Sequence, residues 1–288
     1  MSGQEPKRID SHHHFWDPAA RDYAWMKGLT ALERSFGPED LRPLLAANGI
    51  DATVIVQAHA SVDETREMLQ TAAGTNFVAG VVGWVDLTDP RVGGVLHELQ
   101  AGDTGAWLKG IRPMLHDEAD ENWILQEIVQ SNLHVVAEAG IVLDLLVTPR
   151  ELPAAITTVR DYPHLKFVVD HIAKPPIASG AIDDWAAMMH EFADLEHVAC
   201  KLSGMVTETN PEGWSVDGLT PYVAAVYEIF GPDRMMFGSD WPVCTLAASY
   251  DAVVNAARES LEKLGVLDDT TEAAIFGNTA IHWYGLDV

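Results

Sequence analysis

Eight short apolar runs separated by helical patterns dominate this sequence, and few folds accommodate such an alternation. Most of the runs are continuously apolar rather than alternating, which is typical of parallel strands covered on both faces. The predicted strands span residues 8–11, 53–57, 77–84, 107–111, 141–147, 166–170, 197–202 and 234–238. Eight strand–helix units of roughly 25 to 45 residues each predict an α/β fold, a (β/α)8 TIM barrel formed by the whole chain as a single domain.

Helix start signals follow several of the predicted strands. Pro38 begins a helical pattern that Gly49 ends, and Ser61 with Glu64 forms a capping box before the next pattern. An open doubly wound sheet is the alternative architecture. The absence of a glycine-rich turn after the first predicted strand disfavours it.

The composition indicates a large core and a strongly acidic surface. Hydrophobic residues make up 48% of the 288 residues, and the net charge is −25. Such a charge repels nucleic acid and anionic lipid, so we expect neither nucleic acid nor a membrane as a partner. No apolar run approaches the ~18 residues that span a bilayer, and no signal core precedes the first strand, which predicts a cytoplasmic protein. The expected partner is a small molecule, and a homo-oligomer is left open.

Three consecutive histidines stand at the end of the first predicted strand. Because a strand sends alternate side chains to opposite faces, His12 and His14 should point one way and His13 the other. Two imidazoles on one face can share a metal ion or a substrate oxygen. A hydrogen-bonded pair of core histidines is the structural alternative, so the functional interpretation requires matching groups from other strands.

Polar side chains stand at the carboxyl ends of the other predicted strands. A charge on a buried strand is costly unless it is paired or coordinated, and the strand ends of a barrel surround one small basin. We therefore expect these groups to meet, although an ion pair between Lys201 and Asp170 would have a purely structural role. The residues are Gln57, His59, Trp84, Asp86, Lys109, Arg112, Asp144, Asp170, His171, Lys201, Ser203 and Asp240.

Four of the residues named above indicate two possible chemistries. His12, His14, His171 and Asp240 form a nitrogen and oxygen donor set suited to one divalent metal ion such as Zn²⁺. Without a metal, Asp240 can activate water as a general base while the histidines donate hydrogen bonds to a carbonyl oxygen. The residues alone leave both possibilities open.

Lys109 and Arg112 offer fixed positive charge for an anionic or polyhydroxylated substrate, or for a developing oxyanion. In a regular strand their side chains point to opposite faces, so one of the two should be structural. We expect Lys109 to face the site, because it is in phase with Ile111 and Pro113.

Two long loops follow predicted strands at the end of the barrel where enzymes of this fold keep their sites. Residues 15–37 carry Trp25, and residues 204–218 carry Asn210-Pro211 and Trp214. Loops of this length often act as lids, and surface elaboration is the structural alternative.

Several motifs resemble the amidohydrolase superfamily and, within it, the amidohydrolase 2 group of sugar-lactone hydrolases. They read IDSHHHFW at residues 9–16, VVGWVDL at 81–87, DHIAKP at 170–175, CKLSGMVTE at 200–208 and MFGSDWPVC at 236–244. The tail FGNTA at residues 276–280 resembles the closing helix of the superfamily. The resemblance covers almost the whole chain.

The resemblance implies a (β/α)8 barrel that opens a sugar lactone, L-fucono-1,5-lactone or a related aldonolactone, to the aldonic acid. His12 and His14 match the first-strand metal motif of the family. His171 matches a histidine near the barrel centre, and Asp240 matches the aspartate that accepts the proton from water.

The sequence departs from the superfamily pattern at two strands. Many members have a carboxylated lysine or a glutamate on strand four and a histidine on strand five. Here strand four offers Lys109 and Arg112, and strand five offers Asp144. The resemblance therefore implies at most one divalent metal ion, with zinc expected, on which turnover need not depend.

On this hypothesis the lactone packs against one or more tryptophan faces, which suit the C–H edges of a sugar. The expected catalytic residues are Asp240, His171 and Lys109, and the expected substrate contacts are Arg112, Gln57, His59, Asp144, Trp25, Trp214 and Trp241. The alternatives are a metal-dependent decarboxylase or another ester or lactone hydrolase of the same superfamily. A non-catalytic barrel that binds a sugar acid is a further alternative.

Overall fold

Eight parallel strands form the centre of the structure, a computed structural model that describes residues 6–210 and 213–288. The strands pair in chain order from β1 to β8, and each overlaps one predicted strand. Their bounds are Ile9–His13 (β1), Ala52–Val56 (β2), Val78–Gly83 (β3), Leu108–Ile111 (β4), Val142–Leu145 (β5), Phe167–Val169 (β6), Val198–Leu202 (β7) and Met235–Phe237 (β8).

Two backbone hydrogen bonds close this sheet by joining the ends of β1 and β8. The His14 N–H donates to the Trp241 carbonyl over 2.7 Å, and the Asp240 N–H donates to the His12 carbonyl over 2.8 Å. Closure removes the unpaired edges that an open sheet would expose. The predicted (β/α)8 barrel is confirmed.

Helices connect consecutive strands and cover the outside of the barrel. Their bounds are Pro38–Asn48 (α1), Val62–Ala73 (α2), Val92–Ala101 (α3), Glu127–Glu138 (α4), Leu152–Asp161 (α5), Asp183–His190 (α6), Val216–Phe230 (α7), Tyr250–Lys263 (α8), Asp269–Ala273 (α9) and Thr279–Tyr284 (α10). The Ser61 side chain caps α2 by accepting from two backbone N–H groups, as the sequence pattern predicts. The Glu64 carboxylate accepts from the Ala58 and His59 N–H groups and not from Ser61, so the reciprocal half of the predicted capping box is wrong. Within residues 6–210 and 213–288, no helix combines the length and apolar character that a bilayer span requires.

The lower part of the barrel interior, at the amino ends of the strands, is apolar. Ile9, Val54 and Met236 belong to one buried cluster together with Trp283 and Tyr284 of α10. The last helix therefore closes this end of the barrel. A second and larger apolar layer packs between the strands and the surrounding helices. Polar side chains are consequently concentrated towards the carboxyl ends of the strands.

A close backbone contact joins the last helical segment to β1. Gly277 lies in the π-helical turn Ala274–Asn278, between α9 and α10. A Cβ atom on Gly277 would lie only 1.9 Å from the Lys7 carbonyl oxygen. Only glycine permits two backbone segments to approach so closely.

We expect Gly277→Ala to destabilise the protein by about 2–3 kcal/mol, because the added methyl group forces these segments apart. Equilibrium unfolding in urea measures the loss. Gly94→Ala in α3 is the matched control, since Gly94 is exposed and a Cβ there has nothing within 4 Å. That variant should gain about 0.5–1 kcal/mol. Wild-type stability in Gly277→Ala would show that the close contact is no constraint.

Candidate active site

A cavity of about 150 Å³ opens at the carboxyl ends of the strands. The apolar residues that line it are Trp25, Ala58, Met114, Leu146 and Val243. The polar residues that line it are His14, Arg112, His116, Asp117, His171, Lys174 and Asp240. An apolar lining with a few convergent polar groups is the usual form of a small-molecule site.

Three of the predicted residues meet where β1 joins the segment after β8. The Nε2 atoms of His12 and His14 lie 3.2 Å apart. Asp240 Oδ1 lies 3.8 Å from His12 Nε2 and 3.3 Å from His14 Nε2. His14 Nδ1 lies 2.8 Å from the Val56 carbonyl oxygen. Because a carbonyl only accepts, His14 Nδ1 carries a proton and donates a hydrogen bond to the Val56 carbonyl.

His171 reaches the same point from a left-handed turn after β6. Residues 171–174 all have positive φ angles, between 46° and 58°. This conformation costs non-glycine residues roughly 1–2 kcal/mol each. The turn directs both His171 and Lys174 into the cavity. Strain of this kind concentrates at functional sites, so the turn itself supports a functional role for this end of the barrel.

The loop after β7 holds the His171 imidazole in place. The His171 Nδ1 atom lies 2.9 Å from the Ser203 hydroxyl oxygen. The next residue, Gly204, has a φ of 65°, and a Cβ atom there would lie 2.6 Å from His171 Nδ1. A side chain at this position would displace the ring. His171 Nε2 is thereby directed towards Asp240, with 4.0 Å between Nε2 and Oδ1.

Asp240 is the negative group of the cavity. Burial by itself would raise the pKa of this carboxyl group, but the neighbouring His171 and His14 outweigh burial and lower the pKa below its usual value. Burial also lowers the pKa of His171 to about 3, so this imidazole is neutral near pH 7. An ionised carboxylate that lines a cavity can act as a general base.

A network of buried charges lies directly below these residues. Lys201 Nζ lies 2.5 Å from Asp144 Oδ2 and 3.0 Å from Asp170 Oδ1. Arg112 Nη1 donates to Asp170 Oδ2 over 2.9 Å, and the Tyr284 hydroxyl donates to Asp144 over 2.9 Å. The ion pair between Lys201 and Asp170, which the sequence offered as a structural alternative, is confirmed. Each charge is thus paired, as burial requires.

The two aspartates of this network differ in their ionisation. Burial raises the pKa of Asp144 to about 6. Burial acts in the same direction on Asp170, but Lys201 outweighs it and holds the pKa of Asp170 well below its usual value. Arg112 therefore contacts an ionised carboxylate on one side. On the other side its Nη2 donates to the Gln57 carbonyl over 2.6 Å, which orients the guanidinium at the cavity floor.

Asp10 connects β1 to the segment that carries Asp240. Its carboxylate accepts from the Ser239 N–H over 2.8 Å and from the Tyr250 hydroxyl over 3.0 Å. Burial raises the pKa of Asp10 to about 6. Asp10 does not line the cavity. It supports the site by holding the chain one residue before Asp240, a role that the sequence pattern does not reveal.

The donor set of the cavity fits one divalent metal ion. Ligand atoms of His12, His171 and Asp240 lie within 4.8 Å of one another. His14 Nε2 lies near two of these atoms, His12 Nε2 and Asp240 Oδ1. Imidazole nitrogens and a carboxylate oxygen are ligands that zinc prefers. The contact of His14 Nδ1 with a backbone carbonyl is the outer hydrogen bond that ligating histidines usually make.

Lys109 does not reach the cavity, and the prediction that it faces the site is wrong. It is the second residue of β4, and its ammonium donates to the Gly285 carbonyl over 3.0 Å at the opposite end of the barrel. Arg112 follows the last residue of β4 and lines the cavity instead. The alternation of side chains along a strand predicts which face a residue lies on, but not how far along the barrel axis it lies. A register shift between β3 and β4 also disturbs this alternation.

Asp144 and Gln57 are also misplaced by the sequence analysis as substrate contacts. Asp144 is 0% exposed and lies one layer below the cavity, paired with Lys201 and Tyr284. Gln57 is 0% exposed, and its side-chain amide donates to the Arg112 carbonyl over 3.0 Å. Both side chains support the residues above them.

The predicted aromatic contacts and His59 divide between the cavity and its surroundings. Trp25 lines the cavity, and its indole N–H donates to a loop carbonyl after β2. Trp241 is buried against two phenylalanine rings, and the Trp214 indole donates to a carbonyl of the segment after β8. His59 packs edge-on against a tyrosine ring. Of these four residues, Trp25 is therefore the one placed to contact a bound molecule.

Three cavity residues are absent from the predicted set. Lys174 lies within the motif at residues 170–175, but only the left-handed turn brings it into the cavity. It pairs with Glu208 of the second long loop, whose Pro211 lies outside the described residues. His116 and Asp117 come from the loop after β4, where the sequence carries no distinctive pattern.

The amidohydrolase family model matches residues 9–286. The chain belongs to the amidohydrolase family. An L-fucono-1,5-lactonase from Burkholderia ambifaria is 42% identical over 284 residues, which cover 97% of this chain and 96% of that protein. An L-fucono-1,5-lactonase from Burkholderia multivorans is 39% identical over 290 residues, with the same 97% and 96% coverage. The family membership that the sequence motifs imply is thus confirmed.

Solved structures give the same result. An amidohydrolase from Burkholderia multivorans, crystallised with bound zinc, is 37% identical and superposes with a TM-score of 0.91, over 98% of this chain and 100% of that chain. An amidohydrolase 2 protein from Bifidobacterium longum is 23% identical with a TM-score of 0.72, over 98% of this chain and 99% of that chain. The second likeness supports the fold alone.

We expect His13 to make the stability of this amidohydrolase pH-dependent. As alternation predicts, His13 points away from His12 and His14, and its Nε2 lies 2.8 Å from the Thr53 hydroxyl. Burial lowers its pKa from 6.5 to about 3. Between these pH values only the unfolded chain takes up the proton, so the folded state loses about 1.4 kcal/mol per pH unit as the pH falls.

Urea unfolding of the wild type and of His13→Gln at several pH values checks this expectation. The stability of the wild type relative to the variant should be constant above about pH 7 and should decline below about pH 6.5. Parallel stability curves for the two proteins would contradict it.

Proposed function

We propose that this amidohydrolase hydrolyses a sugar lactone to the aldonic acid, with L-fucono-1,5-lactone or a related aldonolactone as its substrate. The observation that carries the proposal is the buried Asp240 carboxylate, kept ionised among three imidazoles at a cavity. Similarity to two L-fucono-1,5-lactonases over 97% of this chain supports the substrate class.

In this reaction Asp240 removes a proton from water as the water oxygen bonds to the lactone carbonyl carbon. Positive charge and N–H donors at the cavity floor, among them Arg112, stabilise the oxyanion that develops. The bond between the acyl carbon and the ring oxygen then breaks as the carbonyl group re-forms, and the proton held by Asp240 passes to the former ring oxygen, which becomes a hydroxyl group of the aldonic acid. One carboxyl group can serve both steps because both oxygens are bound to the same carbon.

The cavity wall suits a polyhydroxylated ring. Lys174, His116 and Asp117 can exchange hydrogen bonds with hydroxyl groups. The Trp25 ring, which also lines the cavity, can cover the C–H face of the sugar. The stereochemistry that the enzyme accepts is proposed to depend on these four residues.

A zinc ion would be held by His12, His14, His171 and Asp240, whose donor atoms fit it. When bound, such an ion polarises a carbonyl group and acidifies water. We propose that turnover does not depend on the ion, because Asp240 is ionised without it and Arg112 already supplies positive charge. The cytoplasmic location and the homo-oligomer remain predictions.

A pH-indicator assay against fucono-, rhamnono-, galactono- and arabinonolactones, with and without a chelator, tests the proposal. We expect acid release from at least one lactone and continued turnover after chelation. Absence of acid release from every lactone would contradict the function. Release of carbon dioxide from a carboxylated substrate would instead favour the decarboxylase alternative.

We expect Asp240→Asn to lower kcat by ~10² or more, because the amide cannot accept the proton from water. Steady-state kinetics on the best lactone measure this loss, and circular dichroism checks the fold. Asp184→Asn, an exposed aspartate in the first turn of α6, is the matched control and should keep wild-type kcat. Wild-type turnover in Asp240→Asn would remove this residue from the mechanism.

We expect Arg112→Lys to lower kcat/KM by roughly tenfold or more, since lysine cannot contact Asp170 and the Gln57 carbonyl together while facing the cavity. Lys109→Met should keep kcat/KM within about twofold of wild type, because its ammonium lies at the other end of the barrel. A larger loss of kcat/KM in Lys109→Met than in Arg112→Lys would contradict this placement of the two cations.

A further inference from the structure

Both of the basic side chains that line the cavity, Arg112 and Lys174, are paired with carboxylates that do not line it. Arg112 Nη1 lies 2.9 Å from Asp170 Oδ2. The Lys174 ammonium forms an ion pair with Glu208, which belongs to the segment after β7. No other lysine or arginine within residues 6–210 and 213–288 lines the cavity. The lining therefore offers a bound molecule no ammonium or guanidinium without a carboxylate partner.

The buried layer below the cavity is balanced in charge. Asp170 lies between Arg112 and Lys201, and Lys201 also contacts Asp144. Two basic groups thus face two aspartates. The N–H groups of Arg112 can still donate hydrogen bonds, but the layer as a whole adds little positive charge to the cavity.

Negative charge remains in the cavity lining. Asp240 is ionised, and the His171 imidazole beside it is neutral near pH 7. His116 Nε2 lies 3.1 Å from Asp117 Oδ1 and lowers the pKa of that carboxyl group, so Asp117 is ionised as well. The net charge of −25 on the whole chain adds repulsion at longer range. An anionic ligand therefore meets an unfavourable electrostatic field.

The two ion pairs differ in their access to solvent. The side chains of Lys174 and Glu208 are both 24% exposed, whereas those of Arg112 and Asp170 are 4% and 0% exposed. Loss of a partner from the buried pair would leave a charge without compensation. Loss of Glu208 would instead leave a hydrated Lys174 ammonium at the cavity wall, free to pair with a ligand. The pair between Lys174 and Glu208 is thus the one that can decide which ligand charge is accepted.

We propose that Glu208 is a specificity-determining residue, which neutralises Lys174 and so restricts the cavity to uncharged lactones. A substrate carboxylate would have to compete with Glu208 for the ammonium and would then lie beside a second carboxylate. Such like-charge contacts are a common means of excluding a wrong ligand. The lactone as substrate rests on the proposed function, whereas the preference for uncharged rings concerns binding and is measured without turnover.

The first test measures binding of D-galactose and D-galacturonate by isothermal titration calorimetry. These rings differ in one group, since galacturonate has a carboxylate where galactose has CH₂OH. We expect Glu208→Gln to bind galacturonate at least about fivefold more tightly than wild type, with the affinity for galactose changed less than about twofold. An affinity for galacturonate that is unchanged, or still too weak to measure, would overturn the proposal.

Two further variants separate the local effect from general effects of charge. Glu191→Gln removes an equal charge from an exposed ion pair with Arg160, so both affinities should stay within about twofold of wild type. Lys174→Met combined with Glu208→Gln should lose the gain for galacturonate, because the ammonium is absent. An equal gain in Glu191→Gln, or a gain that persists in the double variant, would overturn the proposal.

The second test compares kcat/KM on D-galactono-1,4-lactone and D-galactaro-1,4-lactone, of which the latter bears the terminal carboxylate. We expect wild type to prefer the uncharged lactone at least about tenfold, and Glu208→Gln to reduce this preference at least about fivefold, mainly through KM. Equal kcat/KM of wild type on the two lactones would overturn the proposal without any variant. That result would still support the lactonase function, because both lactones would be hydrolysed.

A purely structural role is the alternative, in which the ion pair only fastens the segment after β7 to the turn after β6. Glu208→Gln would then lower the urea midpoint of unfolding and leave the ratio of kcat/KM on the two lactones unchanged. Circular dichroism establishes whether the variant folds. Absence of turnover on every lactone would contradict the proposed function, and calorimetry would still decide the charge preference.

Discussion

The seam between β1 and β8 is the contact on which the rest of the site depends. The hydrogen bonds from His14 to Trp241 and from Asp240 to His12 close the sheet, and they join the backbone of the residues that meet in the cavity. Asp10 reinforces the seam through Ser239. The contacts that close the barrel therefore also bring His12 and His14 next to Asp240.

The interior of the barrel is divided by polarity along its axis. At the amino end of the strands, apolar side chains and α10 fill the space. Towards the carboxyl end, Lys201 and Arg112 neutralise Asp144 and Asp170 without access to water. Charges in such a place persist only when each has a partner. This paired layer lies below the cavity residues and contacts His12 through Lys201 and Arg112.

Much of this arrangement can be predicted from the sequence. Apolar runs that alternate with capped helical patterns indicate a barrel, and a barrel brings its strand ends together. His12, His14, His171 and Asp240 do meet, although they come from three separate segments of the chain. The errors of the sequence predictions concern the position of a side chain along the barrel axis. Residues at the amino end, the middle and the carboxyl end of a strand can share a face, so periodicity could not separate Lys109 from the cavity.

By itself, the sequence determined the fold, the family and the four side chains that gather at the cavity, because hydrophobic period and motif order are local properties of the chain. Tertiary structure alone decided that Arg112 is the cation at the floor, that Lys174 turns into the cavity, and that Lys201 lies against His12. These features arise from left-handed backbone, register shifts and buried pairing between distant strands. Such interactions have no signature in any one segment, since each depends on where another segment has already been placed.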